Sequence, residues 1–229
     1  MTMYFIRIYL ILNISCLFEC GIVSFSTYKH NHEDDSGSVR HHCYYDHHND
    51  ATVYQFQAEN WSGRRNISLS DFRGKMMLIV PIASFSEDTY QVVELNALHN
   101  NYQFLEVLAF PTKQFGHDEP AANGTEVMNE LSHVRPGNKF KPHFHLFNIV
   151  DVNGRSEHPL FKFLKDHCIP TRDEFANVRE LNYSPLKSKD IRWNFEKFLI
   201  NKHGHPIIRY DSKSRIGDIK KDVEHDYFS

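Results

Sequence analysis

The sequence predicts an α/β domain, a central mixed sheet flanked by helices, and four observations carry this. Residues 76–83 are almost wholly apolar, as a strand buried on both faces must be. Residues 89–102 place Val92, Leu95, Leu98 and Tyr102 close to helical spacing. Residues 105–110 then return as a second apolar strand, stopped by Pro111; strand, helix and strand within about 35 residues read as a right-handed βαβ unit. Finally, residues 193–200 alternate, residues 201–206 turn, and residues 207–210 come back, a hairpin that makes the sheet mixed.

In chain order, the first segment reads as a leader. Arg7 precedes apolar residues 8–12 and 14–18, about 11 residues where a bilayer needs roughly 20. Ser24-Phe25-Ser26 offers a small-x-small cleavage site, so residues 1–26 are read as a secretory signal peptide. A buried N-terminal helix or a signal anchor would use the same residues. No other stretch could span a membrane. Residues 27–50 are polar and carry His30, His32, His41, His42, His47 and His48 among Glu33, Asp34, Asp35 and Asp46. Imidazole and carboxylate suit copper or zinc, but no spacing fixes a tetrahedral set, and the arm reads as solvated and poorly ordered.

Residues 51–229 form the domain. Residues 53–57 alternate as a strand, Ser62-Gly63 turns, and residues 66–69 return, giving an N-terminal β-hairpin. Residues 70–74 are a loop or short helical turn. Pro81 belongs at the end of the main strand, because proline gives the ladder no N–H. Residues 121–131 are expected to be helical, 134–138 a loop, 144–147 a strand and 151–154 a turn. Residues 158–167 read as a helix with Leu160, Phe161 and Leu164 inward, and residues 216–226 as a C-terminal helix.

A net charge of −3 and the lack of a long basic run exclude a nucleic-acid partner. Of four cysteines, Cys16 and Cys20 leave with the leader. Cys43 and Cys168 remain as a pair or as two free thiols; an oxidising compartment favours the pair, and a disulfide is expected. Asn60, Asn66, Asn123 and Asn182 each begin an Asn-x-Ser/Thr triplet, an acceptor for glycosylation in a secreted chain.

The loop that ends the main strand carries the chemistry. A side chain held there, at the start of a helix, faces backbone N–H groups whose partial charge favours an anionic chalcogen. Ala83-Ser84-Phe85-Ser86 resembles the nucleophile loop of glutathione peroxidases, where selenocysteine or cysteine stands at the position of Ser86. Three further stretches match that family in order and spacing. They are Ala109-Phe110-Pro111-Thr112-Lys113-Gln114-Phe115-Gly116, Asp151-Val152-Asn153-Gly154 and Arg192-Trp193-Asn194-Phe195-Glu196-Lys197-Phe198-Leu199. The similarity runs from about residue 53 to 210.

The resemblance implies a thioredoxin-like fold and thiol-dependent reduction of hydrogen peroxide and organic hydroperoxides. Glutathione or another thiol would be the reductant, with no cofactor and no metal. It implies a tetrad of chalcogen, glutamine, tryptophan and asparagine, which falls here on Ser86, Asp118, Trp193 and Asn194. Thr112 and Lys113 also replace the usual cysteine and asparagine. Arg135 fits one glutathione-contacting arginine, whereas Gln91 and Ser212 stand where others are expected. Residues 134–137 resemble the assembly loop of tetrameric extracellular members, so a homo-oligomer is expected. The leader, Cys43 and Cys168 likewise resemble the secreted branch.

Two of the four tetrad positions are changed, and chemistry gives the changes weight. Sulfur and selenium climb an oxidation ladder that thiols reverse; an alcohol oxygen has no corresponding step. Serine is also a weak nucleophile without a neighbouring base, and His117, adjacent to Asp118 in sequence, is not thereby placed between it and Ser86. Asp118 puts an anion where a donor is needed. The expected protein is a secreted, catalytically impaired or inactive homologue. The alternatives are an active extracellular peroxidase, if position 86 is encoded as selenocysteine, and a metal-binding protein acting through the histidine-rich arm.

Overall fold

The computed structural model describes residues 39–44 and 51–228. The expected signal peptide and most of the histidine-rich arm, including His30, His32, His47 and His48, lie outside the described residues.

A six-stranded mixed sheet has the order β1-β8-β7-β4-β5-β6. Its centre is β4 (Met76–Ile82) and β5 (Leu105–Pro111), parallel and joined through α1 (Gln91–Asn101). β6 (His145–Leu146) continues the parallel edge, while β7 (Lys197–Ile200) pairs antiparallel with β4 and then with β8 (Pro206–Tyr210). Every residue of β4 and β5 is buried because both faces of the sheet are covered. Met76, Leu78, Val80 and Ile82 pack with Val92 and Leu95 of α1, Val127 and Leu131 of α2 (Gly124–His133), and Ile219 and Val223 of α4 (Ile216–Phe228). Met77 and Ile79 face the other way, with Leu160, Phe161 and Leu164 of α3 (Pro159–His167). The period of two therefore divides one apolar run between two cores. Among the described residues, no helix is long and apolar enough to cross a membrane.

The structure moves several expected boundaries. The N-terminal hairpin exists, as β2 (Gln57–Glu59) with β3 (Asn66–Ser68), but Val53–Gln55 is a 3-10 turn. Residues 193–196 are not strand: Phe195 has φ 67°, and its N–H reaches Pro81 O at 2.7 Å. Pro81 lies beyond the last rung with β7, at Ile79, so its missing N–H breaks no ladder there. Part of the arm expected to be solvated is an edge strand, β1 (Arg40–His42), antiparallel to β8. Its polar side chains hid it, since an edge strand needs backbone partners more than apolar faces.

Cys43 and Cys168 are joined by a disulfide. It ties β1 to the end of α3, and backbone bonds from Cys43 N to Ile207 O (2.8 Å) and Tyr44 N to His167 O (2.7 Å) run beside it. The bridge spans 125 residues, so removing it releases much chain entropy in the unfolded state. Cys43→Ser with Cys168→Ser is expected to lower stability by about 2–4 kcal/mol in urea unfolding. An unchanged midpoint would contradict this.

Candidate active site

The site lies at the carboxyl ends of β4 and β5. β4 runs on into the loop Ala83-Ser84-Phe85, and Ser86 caps the 3-10 turn Glu87–Tyr90 that leads into α1. Ser86 is 1% exposed, and its Oγ accepts the Asp88 N–H at 3.3 Å. Thr89 Oγ1 donates to Ser86 O and Ala83 O, at 2.7 and 2.9 Å, which closes the turn. The loop after β5 is bound to this one by Phe85 N to Asp118 O, 2.9 Å.

Asp118 reaches its place through a backbone that turns left-handed at two residues, Gly116 (φ 62°) and His117 (φ 58°). A Cβ at position 116 would meet the Asp118 carboxylate at 2.9 Å, so glycine is needed for space as well as for φ. Asn194 Nδ2 donates to Asp118 Oδ2 at 3.3 Å. Burial raises the Asp118 pKa; the bonds from Asn194 and Ser86 oppose this, and the charges of Glu87 and Glu180 add to it. Trp193 stands over Phe115, ring centroids 5.7 Å apart, and shares with Asp118 the wall of a cavity of about 540 Å³.

Ser86, Asp118, Trp193 and Asn194, about 110 residues apart at the extremes of the chain order, thus meet in one place. Their bonding differs from a donor set aimed at residue 86: the Asn194 amide serves Asp118, and the Asn194 Oδ1 is buried without a partner. Arg135 points its guanidinium at the backbone, Nη1 to Phe85 O at 3.0 Å and to Ser86 O at 3.4 Å. His117 Nδ1 is held by Asn182 Nδ2 at 3.2 Å. Among the described residues, no set of three His, Cys, Asp or Glu side chains is arranged to hold a metal ion. Of the acceptor asparagines, Asn66, Asn123 and Asn182 are exposed. Asn60 Oδ1 accepts bonds from Ser62 Oγ and the N–H groups of Arg64 and Arg65, and Asn182 Nδ2 donates to Lys113 O.

These chains of geometry fit what is known of other proteins. The profile of the glutathione peroxidase family matches residues 53–165. A glutathione peroxidase of Dirofilaria immitis is 44% identical over 69% of this chain and 73% of its own length. The chain belongs to the glutathione peroxidase family. It is similar also to glutathione peroxidase 3 of Caenorhabditis elegans, 42% identical over 69% of this chain and 72% of the relative. The corresponding protein of Bos taurus is 40% identical over 75% and 76%. Among solved structures, T. cruzi GPX1 superposes with a TM-score of 0.54 at 27% identity, covering 78% of this chain and 98% of that one. The thioredoxin-like fold expected from the family motifs is the fold of these neighbours.

The sequence reading passed over one member of the site. Glu119, 3% exposed, accepts Ser84 N at 2.9 Å and Ser84 Oγ at 2.8 Å through Oε2, and Ala121 N at 3.2 Å through Oε1. The only signal was an acidic residue next to Asp118 in sequence. Burial lifts its carboxyl to about 7, against the bonds from Ser84 and with help from the Glu130 charge. A carboxyl raised in the folded state stabilises fully below its unfolded pKa, 4.5, and this contribution is lost as pH rises through about 7. Glu119→Gln is therefore expected to flatten the fall in stability over that window by roughly 1–3 kcal/mol in urea unfolding at several pH values. Equal slopes for the two proteins would contradict it.

Proposed function

We propose that this family member is a secreted, glycosylated glutathione peroxidase homologue whose peroxide reduction is lost or strongly impaired. The observation that carries this is the bonding of Ser86. Its Oγ takes the Asp88 N–H that would steady an anion, and the Asn194 amide is turned to Asp118 instead of to residue 86. Family chemistry needs an anionic chalcogen that accepts an oxygen atom from the peroxide and is returned to its starting state by two thiols. An alcohol oxygen has no oxidised state that thiols reduce, and Asp118 presents a carboxylate where a donor would stabilise the anion. Hydrolysis is not supported either, since neither imidazole nor amine relays between Ser86 and Asp118.

The test is turnover and its repair. With hydrogen peroxide and either glutathione or thioredoxin, the serine protein is expected to show no rate above buffer. Ser86→Cys should react slowly, its thiol lowered by the helix start and raised by Asp118. Ser86→Cys with Asp118→Gln should have the lower thiol pKa and react faster, by roughly tenfold per unit of pKa recovered in thiolate at neutral pH. Turnover by the serine protein would overturn the reading, and a double variant no faster than the single would remove Asp118 from it. A selenocysteine codon at position 86 would restore the active-peroxidase alternative.

Homo-oligomerisation, as a tetramer, belongs to the same proposal. Its support is the exposed loop at residues 134–140, where Val134 is 59% exposed and Gly137, Asn138 and Lys139 are all left-handed. Light scattering of the deglycosylated protein at micromolar concentration is expected to give a multiple of the chain mass; a monomer mass would refute this part.

A further inference from the structure

A groove of about 460 Å³ lies between the β2–β3 turn and the start of α2. It shares no lining residue with the cavity beside Ser86. Its wall carries Trp61, Ser62, Asn123, Thr125, Glu126 and Asn148, so residues of two acceptor triplets, Asn60-Trp61-Ser62 and Asn123-Gly124-Thr125, meet there. Hydrogen bonds fix both sides. Trp61 N donates to Leu146 O at 3.1 Å, Gly124 N to Asn148 Oδ1 at 2.8 Å, and Asn148 Nδ2 to Glu59 Oε2 at 3.0 Å. A Cβ at position 124 would come within 2.7 Å of the Trp61 Cα and 2.4 Å of its carbonyl oxygen. Glycine there lets the two triplets touch through their backbones.

Two side chains of this wall point to a sugar. Trp61 is 36% exposed, and its indole makes neither a hydrogen bond nor a ring contact among the described residues. The face of such a ring carries negative charge density, which the C–H groups on one face of a pyranose complement. Asn123 caps α2, its Oδ1 accepting the N–H groups of Thr125 at 3.0 Å and Glu126 at 3.2 Å. The cap turns the oxygen to the helix and leaves the Nδ2, the atom that takes a sugar, facing away and without a partner among the described residues. The other acceptors differ. Asn182 Nδ2 is committed to Lys113 O at 3.1 Å and His117 Nδ1 at 3.2 Å. Asn60 is half-buried and closed on its own turn. Asn66, exposed on β3, does not line the groove.

We infer that Asn123 carries an N-linked glycan whose first N-acetylglucosamine lies in this groove, its C–H face on the Trp61 indole. The N-glycosidic bond forms as the amide nitrogen, losing a proton, attacks the anomeric carbon of a lipid-pyrophosphate-linked oligosaccharide and the lipid pyrophosphate leaves. Tethering gives the sugar an effective concentration in the groove on the order of millimolar or higher, so a contact too weak to hold a free sugar is occupied by an attached one. Thr125 and Glu126, both exposed, present oxygens beside the attachment to the polar edge of the ring. The seated sugar clamps the hairpin to the start of α2. The inference rests on the secreted reading above and is independent of turnover.

The test is expression of the full chain in animal cells with mannose trimming blocked, so that endoglycosidase H leaves one sugar at each occupied acceptor. Peptide mapping of the secreted protein is expected to find that sugar at Asn123. The comparison is with Thr125→Ala, which removes the acceptor triplet and keeps the Asn123 cap. Trp61→Ala should raise the unfolding equilibrium constant roughly threefold more in the sugar-bearing protein than in the Thr125→Ala background. With Trp61 in place, acrylamide should quench tryptophan fluorescence less in the sugar-bearing protein than in Thr125→Ala. Asn66→Gln, which removes an acceptor outside the groove, should leave both differences unchanged. A secreted protein bare at Asn123 would overturn the inference, as would equal quenching or an equal effect of Trp61→Ala in the two backgrounds. A chain that stays in the cell without sugar would overturn the secreted reading, and this inference with it.

Discussion

The hydrogen bond from Phe85 N to Asp118 O, 2.9 Å, joins the loop after β4 to the loop after β5. With Glu119 gripping Ser84 by two further bonds, it makes one rigid body of two segments that are 30-odd residues apart in the chain and parallel neighbours in the sheet. Strands buried on both faces leave their ends no water to bond to, so each polar group where they emerge must find a protein partner. That constraint places Ser86 at the start of a helix, sets Asp118 against it, and forces left-handed backbone at Gly116 and His117. The geometry of the site is therefore kept by folding whether or not the chemistry is kept.

The same holds for Trp193 and Asn194. Their turn is locked by buried charge. Arg209 and Glu196 are wholly buried and paired at 2.7 Å, Glu196 also accepts Arg192 N at 2.6 Å, and Arg209 donates to Cys168 O, Lys189 O and Asp190 O. Removing one partner of such a pair leaves a bare charge inside, a cost of about 3–5 kcal/mol. Lys197, wholly buried, adds to the pressure: burial lowers its pKa to about 7 although Asp88 and Asp211 favour the charged form, and it donates to Ser212 O at 2.9 Å. A Trp-Asn pair in this turn thus has structural reason to persist after the residue it would assist has changed.

Elements with a strong period were legible in the sequence. β4, α1, β5, α3, the β7–β8 hairpin and α4 all follow from spacing, because apolar faces fix them. Elements fixed by backbone bonding were not. β1 is three polar residues on a sheet edge, and the Trp193–Glu196 turn depends on a positive φ at Phe195 that no residue type announces. Motif order gave the membership of the site, but not its wiring. That Asn194 serves Asp118, that Arg135 holds the backbone of the loop, and that Glu119 supports Ser84 are properties of side-chain direction, which spacing does not encode.

On the proposed reading, an alcohol oxygen stands at residue 86 where the peroxidase chemistry needs sulfur or selenium, and a carboxylate stands at residue 118 where it needs a donor. The most direct measurement is the mass of the peptide carrying residue 86, from protein isolated from its natural source, before and after exposure to hydrogen peroxide. The expected result is the serine mass, unchanged by peroxide. A selenium isotope pattern, or an oxygen added at that residue and removed by thiols, would contradict it.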